Sequence, residues 1–182
     1  MTAKELPSAA RLHELLRYEP ETGKLFWKAR AESEFRLPRD ARAWNNKNAG
    51  KEAGKQDVRG YRYICIWYRY DYAHRIIWAM TRGEWPTLDI DHIDQDPTNN
   101  RAENLREVEH RVNMMNVLMH RDNTSGCTGV WQVPSGNWQA SVYTDGKRVY
   151  LGTFSSFETA AAVRKKAQAD LGFSPNHGRA TA

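Results

Sequence analysis

Along the 182 residues the spacing of apolar side chains changes period several times, and each change predicts an element. Ala9, Leu12, Leu15 and Leu16 form one stripe behind Ser8, which predicts a capped helix ending before Glu19-Pro20. Pro20-Glu21-Thr22-Gly23 predicts a turn, and residues 24–27 a short strand. Residues 29–50 place Arg30, Arg36, Arg39, Arg42 and Lys47 beside Trp44 and Asn45-Asn46 without a clear period. They read as a loop, either solvated or tracking a phosphate backbone. From Gly60, Tyr61, Tyr63, Cys65 and Trp67 alternate with Arg62, Ile64, Ile66 and Tyr68, which predicts strand structure turning near residues 68–71. His74, Ile77, Trp78 and Met80-Thr81 then predict a helix closed by Gly83.

The stretch 88–119 carries the most specific order. Ile90 alternates with acidic residues in a predicted strand over 88–93, and Pro97 with Asn99-Asn100 predicts a loop over 94–104. Residues 105–108 predict a second strand, and from about Glu109 a helix follows with Val112, Met115 and Met119 on one side. After a turn-rich linker at 121–126, three short strands are predicted at 129–133, 138–143 and 148–152. A helix capped by Ser155 or Ser156 then runs to Leu171, with Ala160, Ala161, Val163 and Ala167 able to lie on the sheet. The tail from Ser174 is expected to fray.

Composition narrows the partner. A formal charge of +5 favours a polyanion, and seven tryptophans are many for so polar a chain, suited to small cores or to stacking on bases. Cys65 and Cys127 lie far apart with no Cys-x-x-Cys pair, so they read as reduced thiols rather than zinc ligands. The opening Met-Thr-Ala-Lys-Glu lacks a hydrophobic core, and no apolar run is long enough to span a bilayer, so an intracellular, cytoplasmic protein is expected.

Chemistry concentrates between Asp91 and Asn116. The strand–loop–strand–helix order puts Asp91 and His92 on the first strand and Asn113 in the first turn of the helix. A carboxylate and an amide oxygen are hard ligands suited to Mg2+ or Mn2+, which keep waters and accept a phosphate. His92 faces away from Asp91 along the strand, and its neutral imidazole can take a proton from water. His74 reads as a packing residue, Asp94, Asp96 and Glu103 as turn and capping residues, and His110 and Asn116 as helix residues able to reach a phosphate.

Asp91-His92, Asn104 and Asn113, with His74-Arg75 and the run from Asn100-Arg101 to Glu103-Asn104-Leu105-Arg106, resemble the HNH homing endonucleases of phages and introns. The resemblance implies a ββα-metal core in which Asp91 and Asn113 bind one divalent cation, His92 is the general base, and Asn104 braces the loop that keeps His92 oriented. Relatives carry Thr or Ser where this chain has Glu109, so the helix loses its hydroxyl cap.

Gly129-Val130, Gly136-Asn137-Trp138-Gln139-Ala140, Leu151-Gly152-Thr153-Phe154 and Glu158 with Ala160-Ala161 resemble the Apetala-type, ethylene-response-factor DNA-binding domain. The resemblance implies a sheet face that enters the major groove, here formed by Thr128, Gly129, Trp131, Val133, Ser135, Ser141, Tyr143, Arg148 and Tyr150. Trp131, Val133 and Tyr143 stand where the plant domains carry arginine, so guanine recognition by arginine forks is not inherited.

The expected fold class is α+β: a ββα-metal core with an N-terminal helix and antiparallel strands, then a small three-stranded sheet with one helix. Expected domains are 1–50, 51–120 with the core at 88–120, a linker at 121–126, a DNA-binding domain at 127–173 and a tail at 174–182. The expected function is site-specific cleavage of double-stranded DNA by a monomer or weak dimer using one Mg2+ or Mn2+ per site. A DNA-binding regulator with an idle nuclease fold, and a restriction or repair nuclease, are the alternatives.

Overall fold

The computed structural model describes residues 6–180; the opening Met-Thr-Ala-Lys-Glu and the last two residues of the tail lie outside the described residues. The chain forms two compact units, residues 1–107 and 108–182. Both are mixed α/β, with small antiparallel sheets and short helices.

In the first unit α1 (Ala9–Leu15) is capped by Ser8, whose hydroxyl accepts from the Arg11 amide. It stops one residue short of the predicted stripe, because Leu16 opens a strand, β1 (Leu16–Glu19), that pairs antiparallel with β2 (Lys24–Trp27) across the predicted turn. Leu12, Leu15, Leu16 and Leu25 are all buried, so the stripe marks the core correctly while the backbone changes from helix to strand beneath it.

Residues 29–50 are not the expected loop. A 3₁₀ turn (Glu32–Glu34) precedes α2 (Pro38–Asn48), which starts with proline at a position where no amide donor is needed. Few apolar residues hold this helix: Ala41 is buried, Trp44 meets Trp27 edge-on with ring centroids 5.5 Å apart, and the Arg30 guanidinium lies 5.2 Å above Trp44. Asn45 bonds both the amide and the carbonyl of Arg30, at 2.9 and 3.0 Å. Amide and cation–π contacts carry no apolar period, which is why the helix is invisible to pattern reading.

A three-stranded sheet follows in the order β3 (Lys55–Gln56), β4 (Arg62–Ile66), β5 (Arg69–Tyr72). The turn between β4 and β5 comes earlier than predicted, with Trp67 and Tyr68 at φ of 49° and 66°, the conformation that suits a right-twisted two-residue hairpin. Ile64 and Ile66 face the core and meet Ile76 and Ile77 of α3 (Ala73–Arg82), which ends at Gly83 as expected. β6 (Asp89–His92) pairs with β7 (Leu105–Val108), joined by a loop that ends in a 3₁₀ turn (Ala102–Asn104).

The second unit opens on α4 (His110–Met114), only five residues long. The predicted continuation to Met119 is absent because the chain extends after Asn116 and pairs with the C-terminal segment. The Ser174 amide donates to the Met115 carbonyl at 3.0 Å, the Gly178 amide to Val117 at 2.8 Å, and the Met119 amide to Arg179 at 3.0 Å. The tail expected to fray is thus tied down as far as Arg179, since these bonds satisfy backbone groups on both segments. A second three-stranded sheet runs β10 (Lys147–Phe154), β9 (Trp138–Thr144), β8 (Val130–Gln132), with α5 (Phe157–Asp170) capped by Ser156. Val130, Ala140 and Ala160 form the centre of its core, the alanines permitting helix and sheet to approach closely.

Candidate active site and nucleic-acid interface

Asp91 and His92 end β6 and are both buried, 6 % and 5 % exposed. The Asp91 carboxylate is held from the paired strand: Nε and Nη2 of Arg106 donate to its Oδ2 at 2.8 and 2.7 Å. Two donors of one guanidinium on that oxygen hold it in place and balance the carboxylate's charge.

His92 is oriented from the loop. Its Nε2 lies 3.0 Å from Oδ1 of Asn100, whose own amide nitrogen donates to the Thr98 carbonyl at 3.3 Å. With the Asn100 amide turned that way, Oδ1 must accept, so the proton sits on Nε2 and the basic lone pair of a neutral imidazole is on Nδ1. The ring also stands edge-on to His74 and Tyr61, with centroids 5.1 and 5.9 Å away, and His74 stacks flat on Tyr72 at 5.4 Å. Burial, reinforced by repulsion from His92 and Arg75, lowers the His74 pKa to about 3, so this ring is neutral and acts as a wall.

Asn104 accepts from the Asp94 amide at 3.1 Å and donates to the Asp94 carboxylate at 2.9 Å and the Asn99 carbonyl at 2.8 Å. Burial disfavours the Asp94 charge, but the Asp96 amide and the Asn99 and Asn104 side chains outweigh it and hold the carboxyl below its usual range. Asp94 and Asp96 are therefore turn-forming groups of the loop, each accepting from backbone amides. The N-terminal hairpin supports the same loop: the Ala102 amide donates to the Tyr18 hydroxyl at 2.8 Å, and Nε of Arg101 donates to the Glu21 carbonyl at 2.6 Å. Gly23 is required there, because a Cβ on it would lie 2.6 Å from the Asn100 carbonyl carbon.

Asn113 is half-buried on α4, in the second unit, and its amide donates to the Glu109 carbonyl at 3.1 Å. Glu109 occupies the cap position without a side-chain capping bond. His110 is exposed and Asn116 is 5 % exposed. Among the described residues no three of the His, Cys, Asp and Glu side chains cluster as a metal-binding group. Cys65 and Cys127 are free thiols.

On the second sheet the registers Trp131↔Gln139, Tyr150↔Ser141 and Arg148↔Tyr143 put Trp131, Ser141, Tyr143, Arg148 and Tyr150 on one face, opposite the face that packs on α5. The Arg148 guanidinium lies 5.8 Å from the Trp131 ring, while Tyr143 and Tyr150 are 65 % and 58 % exposed. Ser141 is buried at 6 %, and Thr128, Gly129, Ser141, Tyr143 and Arg148 line a cavity in this unit; Ser135 is exposed on the β8–β9 turn and Val133 is half-buried.

These positions now meet the comparisons with known proteins. Residues 71–115 match the family model of HNH endonuclease. The matched span takes in α3, β6, the loop, β7 and α4, so it covers Asp91, His92, Asn104 and Asn113. Protein 3.8 of Escherichia phage T7 is 34% identical over 77 residues, 41% of this chain and 64% of that protein. An AP2/ERF and B3 domain-containing transcription factor of Arabidopsis thaliana is 43% identical over 49 residues, 27% of this chain and 14% of that protein. The chain thus spans less than two thirds of the length of either relative. No solved structure matches.

Sequence reasoning did not assign roles to Asn100, Arg106 and Tyr61. Arg106 was detectable as an opposite charge on the strand paired with Asp91. Asn100 and Tyr61 were not, because both reach His92 through loop and sheet geometry that no spacing encodes.

Proposed function

We propose that the protein is a metal-dependent, site-specific DNA endonuclease of the homing type, cutting phosphodiester bonds to leave 5′-phosphate and 3′-hydroxyl ends. The observation that carries this reading is the held histidine: a buried imidazole with Nε2 engaged by Asn100, inside the span that matches HNH endonuclease. In the proposed reaction Nδ1 of His92 takes a proton from the water that attacks phosphorus. Asn104 keeps the 94–99 loop in the shape that presents Asn100 to His92. Asp91 and Asn113 would hold the cation; their chemistry fits a hard, weakly held ion such as Mg2+ or Mn2+, since one carboxylate and one amide leave positions for water and phosphate. Such an ion supplies neutralisation of charge on the phosphorane and on the departing 3′ oxygen.

The sheet face carrying Trp131, Tyr143, Arg148 and Tyr150 is the proposed DNA-reading surface, supported by the likeness to a plant protein named for its AP2/ERF domain. Ser141 and Gly129 would shape that surface rather than touch bases. His110, exposed on α4, is placed to meet a phosphate. Double-stranded DNA is the proposed partner, and one such site per chain makes a nick the product of a monomer.

The test is incubation of the full chain with plasmid carrying candidate target DNA, with Mg2+ or Mn2+, with and without chelator. Nicked plasmid that depends on metal is expected, and His92→Ala should lower the rate by about 10²–10⁴-fold while DNA affinity is retained. Metal-dependent cleavage that survives His92→Ala refutes the assignment of the base. DNA binding without any cleavage would instead favour a regulator with an idle nuclease fold.

A further inference from the structure

The second unit contains a half-open cleft of about 670 Å³ lined by residues of α4, the sheet and the C-terminal segment. Its wall includes Arg164, which is 2 % exposed and whose guanidinium makes one hydrogen bond among the described residues, Nη1 to Oε1 of Gln168 at 3.1 Å. Among the described residues no carboxylate forms a salt bridge with it, and its Nε lacks a hydrogen-bond partner. A buried cation without a counter-charge is costly, by several kcal/mol in general, so a fold that keeps one has a use for it.

Two further buried atoms on the same wall lack partners, Oγ1 of Thr128 and Nδ1 of His177. The His177 ring already donates to the Met115 carbonyl, so its Nδ1 is left as an acceptor that needs an N–H or O–H opposite it. Gly129 completes the arrangement: a Cβ there would lie 2.7 Å from Nε of Arg164, so the bare backbone is what lets the guanidinium reach this place. An apolar part of the wall lies beside it, with Phe173 under the guanidinium at 5.5 Å and Tyr143, Met114 and Met115 nearby, while Arg111, Asp145 and Arg148 line the rest.

We propose that this cleft binds a single nucleotide, with the phosphate drawn to Arg164, the base edge donating to His177 and the ring lying against Phe173 and Tyr143. The ligand must carry a negative charge for Arg164, a donor for Nδ1 of His177, and a flat body for the apolar wall. Inorganic phosphate lacks the body, a fatty acid lacks the donor, and a nucleotide has all three. The same chemistry is offered by a free mononucleotide or by the terminal 5′-nucleotide of a DNA strand. None of its groups belongs to the Asp91–His92 site, although Tyr143 is shared with the sheet face proposed to read DNA.

The experiment is calorimetric titration of the full chain with 5′-dAMP, inorganic phosphate and deoxyadenosine, followed by competition with a 5′-phosphorylated overhang. Saturable binding of 5′-dAMP is expected, with each half of the molecule at least about tenfold weaker. Arg164→Met should weaken 5′-dAMP by about tenfold or more, and should leave the unliganded protein as stable or more stable, because it removes an unbalanced charge. Met114→Trp fills the cleft without touching Arg164 and should also abolish binding. Competition by the overhang, dependent on Arg164, identifies the strand end as the source; its absence identifies the free nucleotide. No binding of 5′-dAMP at millimolar concentration, binding equal to that of phosphate alone, or binding indifferent to both substitutions overturns the proposal.

Discussion

The span that matches HNH endonuclease crosses the boundary between the two compact units, and its two parts are built in opposite ways. Up to Glu107 it is over-determined: Asp91 is clamped by Arg106, His92 is held by Asn100 and walled by His74 and Tyr61, and Asn104 ties three groups of the loop. From Val108 it is sparse, a five-residue helix with no side-chain cap, on which Asn113 is half-buried and His110 exposed. General-base chemistry needs an imidazole fixed to within fractions of an ångström, whereas a cation ligand can be drawn in by the ion itself. The rigid part therefore holds the imidazole that the proposed function uses as its base.

The largest effect that would break this contrast comes from Asn104→Ala. Three hydrogen bonds end on that buried amide, and its loss removes the Asn104 partners of the Asp94 amide and the Asn99 carbonyl and one of the donors to the Asp94 carboxylate. We expect destabilisation of roughly 2–4 kcal/mol and faster amide exchange across residues 89–107, with exchange in residues 130–170 unchanged. A loss below about 0.5 kcal/mol, within the range of an ordinary surface change, would mean that the loop is not braced as described.

How much of this was readable beforehand follows from what kind of contact does the holding. Strands β6 and β7 and the buried Leu12, Leu15 and Ile64 were legible because apolar periodicity and the core are the same fact stated twice. Helix α2 was not, since Asn45 and Arg30 do the work that apolar residues do elsewhere. Met119 misled because its helical spacing is real while its backbone is claimed by Arg179, a partner sixty residues away in sequence. At the site, the motif singled out Asp91, His92, Asn104 and Asn113, whereas the contacts that Asn100 and Arg106 make to His92 and Asp91 are set by the tertiary fold.

Acid sharpens the contrast by a smaller amount. His74, buried in the first unit, and His177, half-buried in the second, have pKa values lowered by burial to about 3 and about 4. The unfolded chain takes up protons near the ordinary imidazole value, so each contributes fully above about pH 6.5 and less as pH falls toward its folded value, at up to roughly 1.4 kcal/mol per pH unit. The loss from His177 ends near pH 4, and that from His74 continues toward pH 3. Amide exchange at pH 7.5, 5.5 and 4.5 should show both units weakening, and His74→Phe should flatten the decline in residues 62–107 alone. A decline unaffected by His74→Phe would show that the ring already accepts a proton in the folded protein.

The smallest effect tests the sparse part directly. Glu109 starts α4 without capping it, although its carbonyl already accepts from the Val112 and Asn113 amides at 2.9 and 3.1 Å. A serine there could accept from an amide of the first turn, worth about 0.5–1 kcal/mol, while losing the few tenths that a carboxylate gains beside a helix N-terminus. Glu109→Ser should therefore slow amide exchange over residues 110–115 by a few-fold, and Glu109→Ala should not. If α4 is loose because it is uncapped and Asn113 is the ligand proposed above, the serine also steadies Asn113 and lowers the Mg2+ concentration needed for half-maximal cleavage. If exchange slows and the metal requirement stays put, the looseness of α4 has no bearing on the ion, and the second unit's hold on residues 115–119 is what sets Asn113 in place.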